Sequence, residues 1–289
     1  MSFDTFIETA WSDHGDRPQE VADRLTGSLQ IIETAAQIPP YARLLTHVFG
    51  EHLGQWNQGV AALESLRGLP AFDGSDAVTG AVVRGVAVLR YASGDQEALD
   101  TLACDDRVSV LATVSSALAA RHQFKQAIAA YSEALALGRS GLPAGSPAIR
   151  ALAVGGNNLA SALEQKKDRD APETAGMVAA AEGGLKYWKQ AGTWLEEERA
   201  EYRLARSLLQ AAQPGPAVES ATRCIEVCNA NDAPAFEQFF GYAVLALAQR
   251  AAGNVAAFTA ARDRARQLLE LVPADEQQWC ESDLAELAA

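Results

Sequence analysis

The sequence is poor in the residues that build covalent, catalytic or membrane frameworks. Only four cysteines occur among its 289 residues. Cys104, Cys224, Cys228 and Cys280 follow no disulfide spacing of a small secreted domain, so reduced thiols in a cytoplasmic protein are expected. No run of about 18 apolar residues occurs, which excludes a transmembrane helix. The N-terminal stretch lacks the basic start and apolar middle of a secretory signal. Aromatic residues reach only 7%. Positive charge is scarce too: the net charge is −13. An acidic chain binds phosphate backbones and anionic lipid poorly, so neither nucleic acid nor a membrane surface is expected as a partner. Phosphate loops, H-E-x-x-H, G-x-S-x-G, G-x-G-x-x-G and EF-hand loops are missing as well. No enzyme activity, catalytic residue, cofactor or metal is therefore expected.

What the chain has is helical periodicity. Apolar residues make up 48% and charged residues 21%, a globular balance. They recur three and four positions apart, and strand alternation is scarce. Breakers such as Pro39-Pro40, Gly94-Asp95, Gly192, Pro216, Gly253-Asn254 and Pro273 separate runs of helical length. About thirteen helices are expected: one near 17–37, six pairs, and one near 275–287. The acidity gathers at the ends. Residues 1–40 hold seven acidic and two basic side chains, and residues 274–289 hold five acidic and none basic. Both end helices carry one apolar stripe and one polar face, as caps of a helical stack would. Asp13 or Asp16 would cap the first and Asp275 the last.

A packing code recurs along the chain. The stretch 111–134 offers Leu111, Val114-Ser115 and Leu118, then a turn, then Ala127, Tyr131 and Ala134. A small residue admits a neighbour's bulky one across an antiparallel helix pair. The code returns with Leu159-Ala160, Leu204-Ala205 and Leu245-Ala246, stepping from Ser115 at intervals of 45, 45 and 41 residues. This spacing resembles the tetratricopeptide pattern W-x2-L-G-x2-Y…A-x3-F, whose bare unit is 34 residues. The resemblance implies an all-α, right-handed α-solenoid of antiparallel helix pairs with N- and C-terminal capping helices. Its expected layout is an N-terminal extension over 1–16 and a single repeat domain over 17–289. Units over 39–107 are degenerate, those over 108–272 clearer, and 275–287 is the cap.

The same resemblance implies a protein- or peptide-binding scaffold in which the first helix of each pair lines a concave groove. On those helices lie Asn157, Asn158 and Ser161, then Arg199, Tyr202, Arg203 and Arg206, then Phe239 and Phe240. Arg199, Arg203 and Arg206 form one stripe that would favour a carboxylate or phosphate. The amides would bond a peptide backbone and the rings would take an apolar anchor. The partner expected is thus a protein or peptide segment that is acidic or ends in a free carboxylate. The chaperone-binding carboxylate clamp of some tetratricopeptide domains fits less well, because Ala112 and Ser116 stand where that clamp has Lys and Asn. A solvated arginine face paired with Glu196 and other carboxylates is the plainer reading of the stripe. Two alternatives differ in class. One is a ligand-responsive regulator acting through protein contacts, although only about 16 residues precede the first expected helix. The other is an enzyme with a site between helices, which would need convergent acid, base or metal groups.

The remaining candidates read as structural. Cys224 and Cys228 share a helical face but supply only half of a four-ligand zinc site. His47 and His52 lie five apart, about 140° around an α-helix, which is poor geometry for one metal. Asp13-His14-Gly15-Asp16 looks ligand-like, but Asp13 or Asp16 more simply caps the first helix, and His122 sits in a repeat turn.

Overall fold

In the computed structural model, which describes residues 1–288, the chain is built of helices joined by turns and no strand forms among the described residues. No helix among them is long and apolar enough to cross a membrane. The chain divides into two compact units, Met1–Gly155 and the residues from Gly156 onward. The first holds α1 (Phe3–Asp13), α2 (Pro18–Gly27), α3 (Ile38–His47), a π-helical turn (Val48–Leu53), α4 (Trp56–Ser65), α5 (Asp76–Ala92), α6 (Cys104–Ala120) and α7 (Phe124–Leu137). Helix α8 (Pro147–Gln165) begins in the first unit and ends in the second. The second continues with α9 (Ala171–Ala191), α10 (Trp194–Gln210), α11 (Pro214–Ala230), α12 (Ala235–Ala251), α13 (Val255–Leu269) and α14 (Glu281–Ala288).

The helical hairpins are built on one repeated turn. In α6–α7, α10–α11 and α12–α13 the first helix ends with a backbone bond that reaches back five residues: Gln123 to Leu118, Gln213 to Leu208 and Asn254 to Gln249, each 2.9 Å. The residue before each donor is left-handed: His122, Ala212 and Gly253 at φ 59°, 55° and 77°. This is the Schellman ending, which satisfies carbonyls the helix leaves open and reverses the chain. Gly94 makes the same turn after α5, with Asp95 bonded to Arg90 at 3.1 Å. The α8–α9 connection is longer. Asp170 and Glu173 form a reciprocal capping box there.

Packing follows the small-residue stations. Ser115, Ala160, Ala205 and Ala246 are each fully buried, as are Ala127, Ala134, Ala217 and Ala221. Within the second unit, a Cβ on Gly241 would stand 3.1 Å from Ile225 Cγ1 and 3.3 Å from Cys224 Sγ, so the α11–α12 crossing has no room for more. Tyr131 fills the gap in the first unit. Its hydroxyl donates to the Leu152 carbonyl at 2.8 Å, giving a buried phenol its partner.

The ends differ from the sequence reading. The helix expected over 17–37 stops at Gly27, where Gly27-Ser28 gives the backbone little reason to stay helical. The buried Tyr41 hydroxyl then donates to the Leu25 carbonyl in the last turn. Thr34 and Gln37 form a capping box on a short 3-10 turn that leads into α3. Residues 3–13 are helical and capped by Ser2. Neither Asp13 nor Asp16 caps α2. Its N-cap is Arg17 with no side-chain bond, while Asp13 pairs with Arg17 and Arg24 at 2.6 and 2.8 Å. Asp275 likewise precedes a 3-10 turn over Gln277–Cys280, and α14 begins only at Glu281.

Candidate functional site

The arginine stripe of α10 is embedded in carboxylates. Thr193 and Glu196 start the helix with a capping box, which fixes its register. Arg199 forms a bidentate pair with the buried Glu237 of α12, its Nε at 3.2 Å from Oε2. Arg203 pairs with Glu164 of α8, which also accepts from Ser207 Oγ at 2.6 Å. Arg206 is bidentate on Glu286 of α14, at 2.7 and 3.1 Å. Tyr202 donates to Asp283 of α14 at 2.8 Å, and Arg250 of α12 donates to the Glu286 carbonyl at 3.0 Å. The partners of the stripe thus lie on three other helices, 38, 39 and 80 positions away in sequence. Periodicity along α10 alone carries no signal for them.

Helix α14 therefore lies against α10 and α12. Leu287 and Cys280 join the apolar cluster of Phe239, Ala243, Leu247 and Leu268, with Leu284 packed at its edge. Asp283 and Glu286 turn toward Tyr202 and Arg206. Burial raises the Asp283 carboxyl above its ordinary value, although Arg206 and the Tyr202 hydroxyl pull it back down. Burial works against the Arg206 charge, yet Tyr202 and the α14 carboxylates leave its pKa raised. A hollow of about 260 Å³ opens beside this contact, lined by Arg206, Leu209, Gln210, Leu247, Arg250, Ala251 and Glu286.

The other residues of the expected groove are distributed unevenly. Phe239 is fully buried and belongs to the core, whereas Phe240 is half-buried, 5.7 Å from the Tyr202 ring in an edge-to-face contact. Asn157, Asn158 and Ser161 are half-buried on α8, with Asn157 Nδ2 donating to Asn158 Oδ1 at 3.4 Å.

Two clusters of ligand-type residues also form. In the second unit the Cys224–Cys228 pair gains a third member, Glu198, with all ligand atoms within 4.8 Å and all buried. Cys224 Sγ donates to Glu198 Oε1 at 3.2 Å, while Glu198 Oε2 has no hydrogen-bond partner. Burial, then Cys228 and Glu237, pushes the Glu198 carboxyl up to about 9. The Cys224 thiol is raised by its bond with Cys228, by burial and by Glu198. The same bond from Cys224 draws the Cys228 thiol down, against the effect of burial.

In the first unit, His14, His47 and His52 bring their ligand atoms within 4.8 Å of one another. The 140° argument against His47 and His52 fails for a local reason. The Val48–Leu53 turn is π-helical, and its i→i+5 repeat carries residues five apart to the same face. Gly54 closes it in the left-handed region at φ 63°, and Arg121 donates to the His52 carbonyl at 3.2 Å. The His47 and His52 Nε2 atoms are 3.1 Å apart. His47 Nδ1 faces Glu51 Oε1 at 3.0 Å, and His14 Nδ1 faces the Trp11 carbonyl. Burial, followed by His47 and His14, depresses His52 to about 4.

Comparison with known proteins adds evidence on the fold. No family model matches the sequence. No curated protein matches it either. Among solved structures, a Podosopora anserina chain of nearly identical TPR-like repeats, assigned to kinesin light chain, aligns with a TM-score of 0.50 at 16% identity, covering 82% of this chain and 96% of that one. A single-substitution form of that protein aligns with a TM-score of 0.50 and 16% identity, covering 78% and 92%. Likeness at this identity speaks to architecture and not to ligand. Helix pairs with repeated Schellman turns, small-residue crossings and this structural likeness agree: the chain is a tetratricopeptide-like helical repeat protein.

Proposed function

We propose that the second unit is a binding module for an acidic amphipathic helix of a partner protein, and that α14 is the occupant the chain itself supplies. One observation carries this reading: Asp283 and Glu286 engage Tyr202, Arg206 and Arg250 on two neighbouring helices while Leu284 and Leu287 pack on apolar surface. A partner helix with carboxylates three apart and leucines beside them would meet the same chemistry. It would have to displace α14, so its apparent affinity falls by the fraction of molecules in which that helix is undocked. The proposed function is that of a scaffold with reversible access to its binding face.

The test uses a fluorescent peptide with the sequence of residues 275–288, added in trans. Full-length protein carrying Asp283→Lys and Glu286→Lys should capture it at least about tenfold more tightly than wild type, equivalent to about 1.4 kcal/mol. Adding Arg206→Glu should abolish capture. If the double-lysine protein melts cooperatively and binds the peptide no better than wild type, the proposal fails.

A further inference from the structure

The three imidazoles of the first unit meet because of a backbone irregularity. A π-turn inserts one residue into a helical turn and is frequent at functional sites. Here it brings His52 alongside His47. Their Nε2 atoms, 3.1 Å apart, are spaced like two nitrogen ligands of one ion. In a tetrahedral zinc site with metal–nitrogen bonds of about 2.0–2.1 Å, two such nitrogens lie about 3.3 Å apart. His14, at the C-terminal end of α1, completes a triangle with ring centroids 4.8 to 4.9 Å apart.

Two of the three outward nitrogens are engaged. His47 Nδ1 faces Glu51 Oε1 at 3.0 Å, and His14 Nδ1 faces the Trp11 carbonyl. A carboxylate or carbonyl on Nδ1 holds the proton there and leaves the Nε2 lone pair for a metal; metal-ligating histidines nearly always have such a partner. The His47 and Glu51 side chains are 22% and 16% exposed, so an ion can reach the cluster from solvent while bulk water does not surround it. Ring packing around Trp11 accounts for the contacts of His14 and His47, 5.1 Å from the indole, and the His47 and His52 Nε2 atoms share a hydrogen bond at 3.1 Å, a contact that a shared ion would replace.

We propose that His14, His47 and His52 form a binding site for one divalent transition cation of the zinc class, held through three Nε2 atoms, with Glu51 and the Trp11 carbonyl as outer partners and a fourth position left to water or a partner's ligand. Imidazole sets of this kind suit zinc, and they also suit copper, nickel and cobalt. The ion would tie α1 to α3 and the π-turn, so that loading it should also stabilise the first unit.

The experiment uses untagged full-length protein stripped with a chelator and titrated with Zn²⁺ by calorimetry and with Co²⁺ by visible absorption. The expected results are one ion per chain and intense four- or five-coordinate Co²⁺ bands, bleached by added Zn²⁺. Glu51→Gln keeps all three ligands and should weaken binding roughly 10–100-fold. His52→Ala should abolish the Co²⁺ bands, and His122→Ala should leave them unchanged. The proposal is overturned if wild-type protein gives only the weak spectrum of hexaaqua Co²⁺, or if a folded His52→Ala protein binds as tightly as wild type. The wild-type spectrum decides the matter even where a histidine variant does not fold.

Discussion

Glu198 shows what burial does to a single carboxyl in this fold. Its ordinary pKa of 4.5 rises to about 9 in the folded chain, with burial as the first cause. Below the ordinary value, folded and unfolded chains both hold the proton and stability is unaffected. Between the two values the unfolded chain releases a proton that the folded chain keeps, so stability falls as pH rises, by at most about 1.4 kcal/mol per pH unit. Glu198→Gln removes that slope. Urea unfolding at pH 5 and pH 8 should show wild type losing more stability than the variant over that interval; parallel losses would contradict the raised pKa. At this scale the sequence was least legible. Glu198 gave no sign of meeting Cys224, because their contact joins α10 to α11 across 26 positions. Helical arithmetic separates His47 from His52 because it assumes α-geometry, and nothing in VFGEHL announces the π-turn that brings them together.

Helices and their turns were far more readable, since a 3.6-residue apolar period and a recurring small residue are local signals. The fully buried Ala160 and Ala205 stand where the expected crossings put them. Ala205→Leu should overpack its crossing and cost about 1–3 kcal/mol in chemical unfolding. An unchanged midpoint would mean the register is wrong. The turns make a second prediction. Ala212 holds the left-handed position that glycine occupies at Gly94 and Gly253. A side chain there costs on the order of 1 kcal/mol. Ala212→Gly should therefore stabilise the chain or be neutral, despite glycine's larger unfolded-state entropy. A clear loss in Tm would contradict the Schellman assignment. Boundaries failed where no periodic signal marks them. The apolar stripe Val21, Leu25, Leu29 and Ile32 continues past Gly27, but the backbone leaves the helix there and Leu29–Ile31 form only a 3-10 turn.

For the molecule as a whole, the repeat architecture is legible because each hairpin must bury its apolar face against a neighbour, and the sequence repeats the means of doing so. The docking of α14 on α10 and α12 is not legible. The acidic terminal segment reads as a solvent-facing cap, yet Asp283 is buried and Glu286 pairs with Arg206. An acidic amphipathic helix is equally consistent with facing water and with facing arginines, and only the fold chooses between them. Hydrogen exchange along the full chain tests that choice most directly. In wild type, the amides of residues 281–288 should exchange more slowly than in the free peptide. In the Asp283→Lys, Glu286→Lys protein they should lose that protection while α10 and α12 keep their own. Exchange of 281–288 in wild type as fast as in the isolated peptide would contradict docking of α14, and with it the proposed competition for the binding face.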